Sequence, residues 1–136
     1  SNMQQMKLTE NEIQLKNEYI IKKYEDIRGQ LMKEANKEYF NCMQNQNENE
    51  RISYEQYQEM LQHINYDVAW QIYDEVNEYN NTEEIIDLNC LEVMDAQAIA
   101  KQKIYDLSKS IRDDYSDRKS APDAVLCIVC ADEHLI

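Results

Sequence analysis

The sequence predicts an α+β protein that is mostly helical, with a helical hairpin followed by a β-α-β unit. The first observation is composition: the chain has 1 glycine and 1 proline, so few residues interrupt helices. The second is periodicity, since apolar residues recur at helical spacing through most of the chain. The third is a pair of short β-branched runs that flank the last helical pattern.

The first predicted helix begins after Thr9, which forms a capping-box pattern with Glu12, and extends to about Met43. One face of this helix carries apolar residues at spacings of three, four and seven. This stripe consists of Ile13, Ile20, Tyr24, Ile27, Leu31 and Ala35. The polar stretch 44–49 follows and predicts a loop.

Ser53 and Gln56 form a second capping-box pattern, which predicts a helix over about 54–78. Its apolar stripe consists of Tyr57, Leu61, Ile64, Val68, Ile72 and Val76. Two long helices joined by a short polar loop should pack antiparallel as a hairpin, because each apolar stripe can be buried by packing against the other. We therefore expect a helical extension over 1–80 and a second unit over 81–136.

The second unit has a strand–helix–strand pattern. Residues 85–88 are short, apolar and β-branched, which predicts a buried parallel strand. A helix over about 93–118 follows, with an apolar face of Val93, Ala96, Ala100, Ile104, Leu107 and Ile111. Residues 125–130 give the strongest strand pattern in the chain. Two strands joined by a helix should be parallel, with a right-handed crossover.

Residues 84–93 read Glu-Ile-Ile-Asp-Leu-Asn-Cys-Leu-Glu-Val, with Ala96 shortly after. This segment resembles the opening of the small MutS-related (Smr) domain, which reads apolar-apolar-Asp-Leu-His-Gly-Leu-Thr-Val before an alanine. Asp87 matches the family's acid, whereas Asn89 stands at its histidine and Cys90 at its glycine. The resemblance covers only the front part of such a domain, because the sequence ends at Ile136.

The front half carries a second resemblance. Many eukaryotic Smr domains follow a helical extension whose end has an asparagine, an alanine, an isoleucine–aromatic pair and another asparagine in order. Here the matching residues are Asn65, Ala69, Ile72, Tyr73 and Asn77. Asp87 then follows ten residues after Asn77, which is about the family's distance.

Smr domains are nucleic-acid endonucleases or their relatives, so the resemblance implies catalytic positions at Asp87, Asn89 and His134. The family's second signature, Thr-Gly-x-Gly-x-His-Ser, is altered here: Ala131 and Glu133 fill the glycine positions, and His134 is one place early. Asn89 does not titrate near neutral pH, and side chains in a phosphate loop oppose close backbone approach. We therefore expect a degenerate, catalytically inactive module.

Three functions remain open on the sequence. The first is association with RNA, ribosomes or a nucleic-acid-processing complex. The second is a metal-dependent endonuclease in which Asp87, Asp132 and Glu133 hold Mg²⁺ or Mn²⁺ near His134. The third is a protein-interaction or dimerisation module. In the simplest alternative for Asp87, its carboxylate only caps the turn that follows.

Charge bears on this choice. The formal net charge is −13, with 27 acidic and 14 basic residues, which is the wrong overall sign for following a phosphate backbone. Basic residues in and after the third helix are the candidate nucleic-acid contacts, or else part of a solvated helix face. They are Lys101, Lys103, Lys109, Arg112, Arg118 and Lys119.

Compartment and assembly follow from the remaining residues. No apolar run approaches the roughly 20 residues that cross a bilayer, so we expect a cytoplasmic protein without membrane contact. Free thiols fit that compartment, and we expect Cys127 and Cys130 to pack in the core instead of binding zinc, with no metal or other cofactor held. An open sheet edge at 125–130 favours a homodimer, unless the hairpin folds back over the sheet.

Overall fold

The computed structural model describes residues 8–80, 85–115 and 127–130. The elements are α1 (Glu10–Met43), a short 3₁₀ helix (Glu48–Glu50), α2 (Tyr54–Val76), β1 (Ile85–Asp87), α3 (Val93–Tyr115) and β2 (Cys127–Val129). The described part is mostly helical with a small sheet, as predicted. The 3₁₀ helix begins within the predicted loop. None of the helices in the described ranges is long and apolar enough to span a bilayer.

Local capping rules place the start of both long helices. The Thr9 hydroxyl accepts a hydrogen bond from the Glu12 backbone N–H at 3.2 Å, which fixes the start of α1. Ser53 and Gln56 exchange reciprocal side-chain-to-backbone bonds at the start of α2. Both predicted caps are therefore confirmed, but the reciprocal capping box forms only at Ser53, since the Glu12 carboxylate accepts from the Thr9 hydroxyl. The prediction for α2 ends at 78, two residues beyond its last helical residue, Val76.

The two long helices pack along their predicted stripes. Near the middle of α1, Lys23 forms an ion pair with Glu75, the second-last residue of α2, at 3.1 Å. Further along α1, Asn36 accepts a hydrogen bond from the Tyr57 hydroxyl at 3.2 Å. Residue numbers thus fall along α2 as they rise along α1. A buried cluster between the helices consists of Ile20, Tyr24, Val68 and Ile72, and we call it the hairpin core.

The predicted apolar stripe of α1 is wrong at Ile13, because 45% of this residue is exposed. The helix α1 has 34 residues and α2 has 23, so the first turns of α1 extend beyond the last turn of α2. Ile13 lies in this extension and has no facing turn of α2 to cover it. The other five residues of the stripe are buried or half-buried.

The predicted parallel pairing of the two strands is confirmed. Ile85 pairs with Cys127, Ile86 with Ile128 and Asp87 with Val129. Beyond β1, the Leu88 N–H donates to the Val129 carbonyl at 2.7 Å. Ile86 is fully buried, as predicted for this strand, whereas the prediction is wrong at Ile85, which is 40% exposed. Residues 116–118 of the predicted third helix and 125–126 of the predicted second strand lie outside the described ranges.

A second buried cluster joins the helices to the sheet, and we call it the sheet core. It consists of Ala69 and Tyr73 from α2, Ile86 and Leu88 from β1 and its end, and Ile99 from α3. The packing between front and back halves is therefore continuous across residue 80.

The predicted apolar face of α3 is wrong at two positions. Val93 is 52% exposed and Ile104 is 41% exposed, whereas Ile99, absent from the prediction, is 1% exposed. Contact with the sheet core is centred on Ile99, which turns Ile104 outward. One turn beyond Ile99, the ammonium of Lys103 lies over the Tyr73 ring, 5.5 Å from its centroid.

Candidate functional site

The carboxylate of Asp87 caps the turn after β1. Its Oδ1 accepts hydrogen bonds from the Asn89 backbone N–H at 3.0 Å and from the Asn89 side-chain amide at 2.7 Å. This is the capping role that the sequence left as the simplest alternative. The predicted companions of Asp87, which are Asp132, Glu133 and His134, lie outside the described residues.

Cys90 adopts a conformation that favours glycine. Its φ is +70°, and it is the sole non-glycine residue with positive φ in the described ranges. The half-buried thiol donates a weak hydrogen bond to the Asn17 carbonyl of α1 at 3.8 Å. Burial, and then the charge of Asp87, raise the pKa of this thiol to about 11, so it stays protonated at neutral pH. The turn therefore has at residue 90 the left-handed backbone conformation that glycine adopts most easily, although the residue is cysteine.

Because φ is positive at Cys90, glycine should stabilise the fold more than alanine at this position, which is the reverse of their usual order. Cys90→Gly should be more stable than Cys90→Ala by about 1 kcal/mol, because alanine keeps the β-carbon strain and glycine removes it. Both variants lose the thiol, so its packing cancels in the comparison. Urea unfolding of the two proteins gives the difference. A more stable alanine variant would show that residue 90 has negative φ in solution.

Asn77, at the C-terminal end of α2, binds the backbone of β1 through its side-chain amide. Its Nδ2 donates to the Asp87 carbonyl at 2.9 Å and to the Tyr73 carbonyl at 2.7 Å. Its Oδ1 accepts from the Asp87 N–H at 2.9 Å and from the Asn80 side chain at 2.6 Å. Asn77 therefore fixes the turn that carries Asp87 against α2.

A groove of about 450 Å³ lies between α1 and the turn that joins β1 to α3. It is formed by one side of α1, one residue of α2 and the segment 89–95. Apolar side chains that line it are Ile21, Tyr24, Ile72, Leu91 and Val93. The turn that matches the Smr opening thus forms one wall of the groove.

The polar lining of the groove is mainly acidic. The carboxylates come from Glu25 on α1, from Glu92 just before α3 and from Asp95 in its first turn, and the guanidinium of Arg28 lies among them. Burial and the nearby charge of Glu92 raise the pKa of Asp95, while Arg28 lowers it. The Nε atom of Arg28 is buried and has no hydrogen-bond acceptor among the described residues. No sequence pattern pointed to these residues, because they are brought together only by packing.

Four of the six predicted nucleic-acid contacts lie on described residues of α3, and Lys103 lies apart from the other three. Lys101, Lys109 and Arg112 are exposed and share one side of α3 by helical spacing. Lys103 points to the opposite side of α3, toward Tyr73. The last two predicted contacts, Arg118 and Lys119, lie outside the described residues.

The predicted core packing of Cys127 and Cys130 is wrong. Both are exposed free cysteines. The strand β2, which begins at Cys127 and ends just before Cys130, has no buried residue, since the side chains of the sheet core come from β1 and the helices. Within the described ranges, no three His, Cys, Asp or Glu side chains are grouped so that they could hold a metal ion.

No family model, curated protein or solved structure matches the chain. The Smr resemblance stays a prediction, carried by Asp87 and the turn that follows it.

Proposed function

We propose that the chain is a catalytically inactive, Smr-like module that acts by binding a protein partner. In this proposal an antiparallel helical hairpin precedes a right-handed β-α-β unit, the front part of an Smr-like domain. The falling order of contacts along α2 and the parallel pairing of β1 with β2 support this arrangement. The exposed apolar side chains of α3 and β2 support a partner that is a protein.

The observation that carries the proposal is the pair of hydrogen bonds between the Asp87 carboxylate and Asn89. Both hydrogen bonds to Asp87 Oδ1 come from Asn89, so this carboxylate oxygen stabilises the turn. Phosphodiester hydrolysis needs a base or a metal ion, together with a group that stabilises charge on the phosphate. Asn89 brings a neutral amide to the place where the resemblance implies a titratable histidine.

One assay series on nucleic acid tests this proposal. Incubation with single-stranded and duplex DNA and RNA should give no cleavage above background, with or without Mg²⁺ or Mn²⁺. Binding should also be absent between roughly 50 and 200 mM salt, because a net charge of −13 opposes phosphate contacts. Metal-dependent cutting that disappears in Asp87→Ala would contradict the proposal and favour the endonuclease.

Association with RNA or ribosomes is the second candidate function. The observation that favours it is the exposed row formed by Lys101, Lys109 and Arg112 on α3. In the same assay, RNA binding that weakens with salt and is lost when these three residues become alanine would establish this candidate. RNA binding that persists after the substitutions would show that these three residues do not contact the RNA.

We expect the chain to form a homodimer through β2. The sheet has two strands in the described ranges, and a two-stranded sheet is marginal alone. The backbone groups on the outer side of β2 would pair with another strand. Light scattering should give about twice the chain mass of 16.3 kDa at high concentration. A stable mass near 16.3 kDa would instead favour a monomer whose hairpin covers the sheet.

The outward groups of β2 offer a matched control for this dimer. The Val129 carbonyl faces β1, so the backbone groups of Ile128 face away from it. Ile128→Pro removes the outward N–H and should yield a monomer, whereas Ile128→Thr keeps it and should remain a dimer. Dimers of equal stability in both variants would place the contact elsewhere.

A further inference from the structure

We infer that the groove between α1 and the turn after β1 binds a basic, apolar segment of a protein partner. One aliphatic side chain of that segment would lie on the groove floor, beside a lysine or arginine. This inference rests on the proposed function, because it names the partner class of a binding module. A volume of about 450 Å³ holds one or two side chains, which suits a short segment rather than a whole helix.

The floor of the groove supplies the apolar contact. Tyr24 and Ile72 are buried members of the hairpin core, so the floor is held by packing on both long helices. At the groove margins, Ile21 is 40% exposed and Val93 is 52% exposed. An aliphatic side chain between them would remove apolar surface from water on both sides.

The charges of the groove select a basic partner. Three carboxylates, from Glu25, Glu92 and Asp95, face one guanidinium, that of Arg28. Asp95 is partly desolvated and lies next to Glu92, so water stabilises its negative charge poorly. A bound cation would stabilise that charge directly. The chain's net charge of −13 would also attract a basic segment over distance.

The buried Nε–H of Arg28 indicates the remaining group of the ligand. This donor has no acceptor among the described residues. A backbone carbonyl of a bound peptide can accept from it without adding charge. A phosphate could accept as well, but it would lie against the three carboxylates, and their repulsion disfavours nucleic acid in this groove.

Two short peptides test the inference on the full chain by NMR titration. The first probe is acetylated, amidated Gly-Arg-Leu-Lys-Gly, and the second replaces its leucine with glycine. The leucine peptide should bind about tenfold more tightly, since it alone buries an aliphatic side chain. Backbone amide signals of Ile21, Cys90 and Glu92 should shift. Equal affinity of the two peptides, or shifts confined to other residues, would overturn the inference.

A matched pair of double variants tests the charges. Glu92→Gln with Asp95→Asn should weaken the leucine peptide about tenfold. Glu59→Gln with Asp67→Asn changes the net charge equally on the exposed side of α2 and should weaken it less than about twofold. Equal weakening by both pairs would show that the peptide responds only to overall charge.

Two further outcomes separate this inference from the proposed function. If groove signals shift on dilution without peptide, the groove holds a second copy of the chain, and the inference is wrong while the binding module stands. If the chain cleaves nucleic acid and Asp87→Ala abolishes that cleavage, the proposed function fails, whatever the peptides do.

Discussion

Replacing Val68 with aspartate should lower the free energy of unfolding by about 4 kcal/mol or more. Val68 is 0% exposed and packs in the hairpin core between α1 and α2. The residues that pack in the hairpin core are apolar or aromatic, and an unpaired buried charge there is among the costliest substitutions known. Since domains are typically stable by about 5–15 kcal/mol, Val68→Asp should be partly unfolded at 25 °C. Circular dichroism and urea unfolding measure the loss.

Neighbouring positions on α2 give a graded control. Leu61 and Ile64 are only half-buried, so their aspartate variants should lose about 2 kcal/mol each. Gln62 is exposed, and Gln62→Asp should change stability by less than about 1 kcal/mol. Similar unfolding curves for Val68→Asp and Gln62→Asp would show that the two long helices do not pack as described.

Removing the side chain of Asn77 should cost about 3 kcal/mol. Asn77→Ala breaks the bonds from the amide to the Asp87 N–H and carbonyl and to the Tyr73 carbonyl. Each partly buried group left unpaired costs about 1–3 kcal/mol, and the N–H and carbonyl of Asp87 are affected together. The Tyr73 carbonyl keeps its hydrogen bond from the backbone N–H of residue 77 at 2.9 Å. The variant should also expose the Asp87 amide proton, so hydrogen exchange at Asp87 should accelerate more than global unfolding predicts.

Asn80 provides the matched control for Asn77. Among the described residues its side chain makes one hydrogen bond, to Asn77 Oδ1, and that bond does not reach the strand. Asn80→Ala should therefore cost about 1 kcal/mol or less and leave exchange at Asp87 unchanged. Equal effects of the two substitutions would mean that the amide of Asn77 does not hold β1.

Features set by neighbours along the chain were predictable from the sequence. The caps at Thr9 and Ser53 depend on residues three positions away, and both were found as predicted. The parallel pairing of β1 with β2 was predictable because a helix separates two strand patterns. The turn at Asp87 was foreseen only as one alternative, since a carboxylate at a strand end suits a cap as well as a catalytic site.

Features set by tertiary packing were not predictable in the same way. On α3 the spacing allowed either Ile99 or Ile104 on the buried side, and contact with the sheet core selected Ile99. The positive φ of Cys90 could be suspected only through the glycine of the resembling family. The acidic groove was missed because Arg28 and Asp95 are far apart in sequence and meet only when α1 crosses the turn.

The amide of Asn77 also limits how the sheet can grow. It donates to the carbonyl and accepts from the N–H of Asp87, as a neighbouring strand would. A strand from another molecule that approached this side of β1 would find those backbone groups already bonded. The side of β1 that faces Asn77 is therefore closed to an added strand at Asp87, which opposes the stacking of copies through this side into a cross-β fibre.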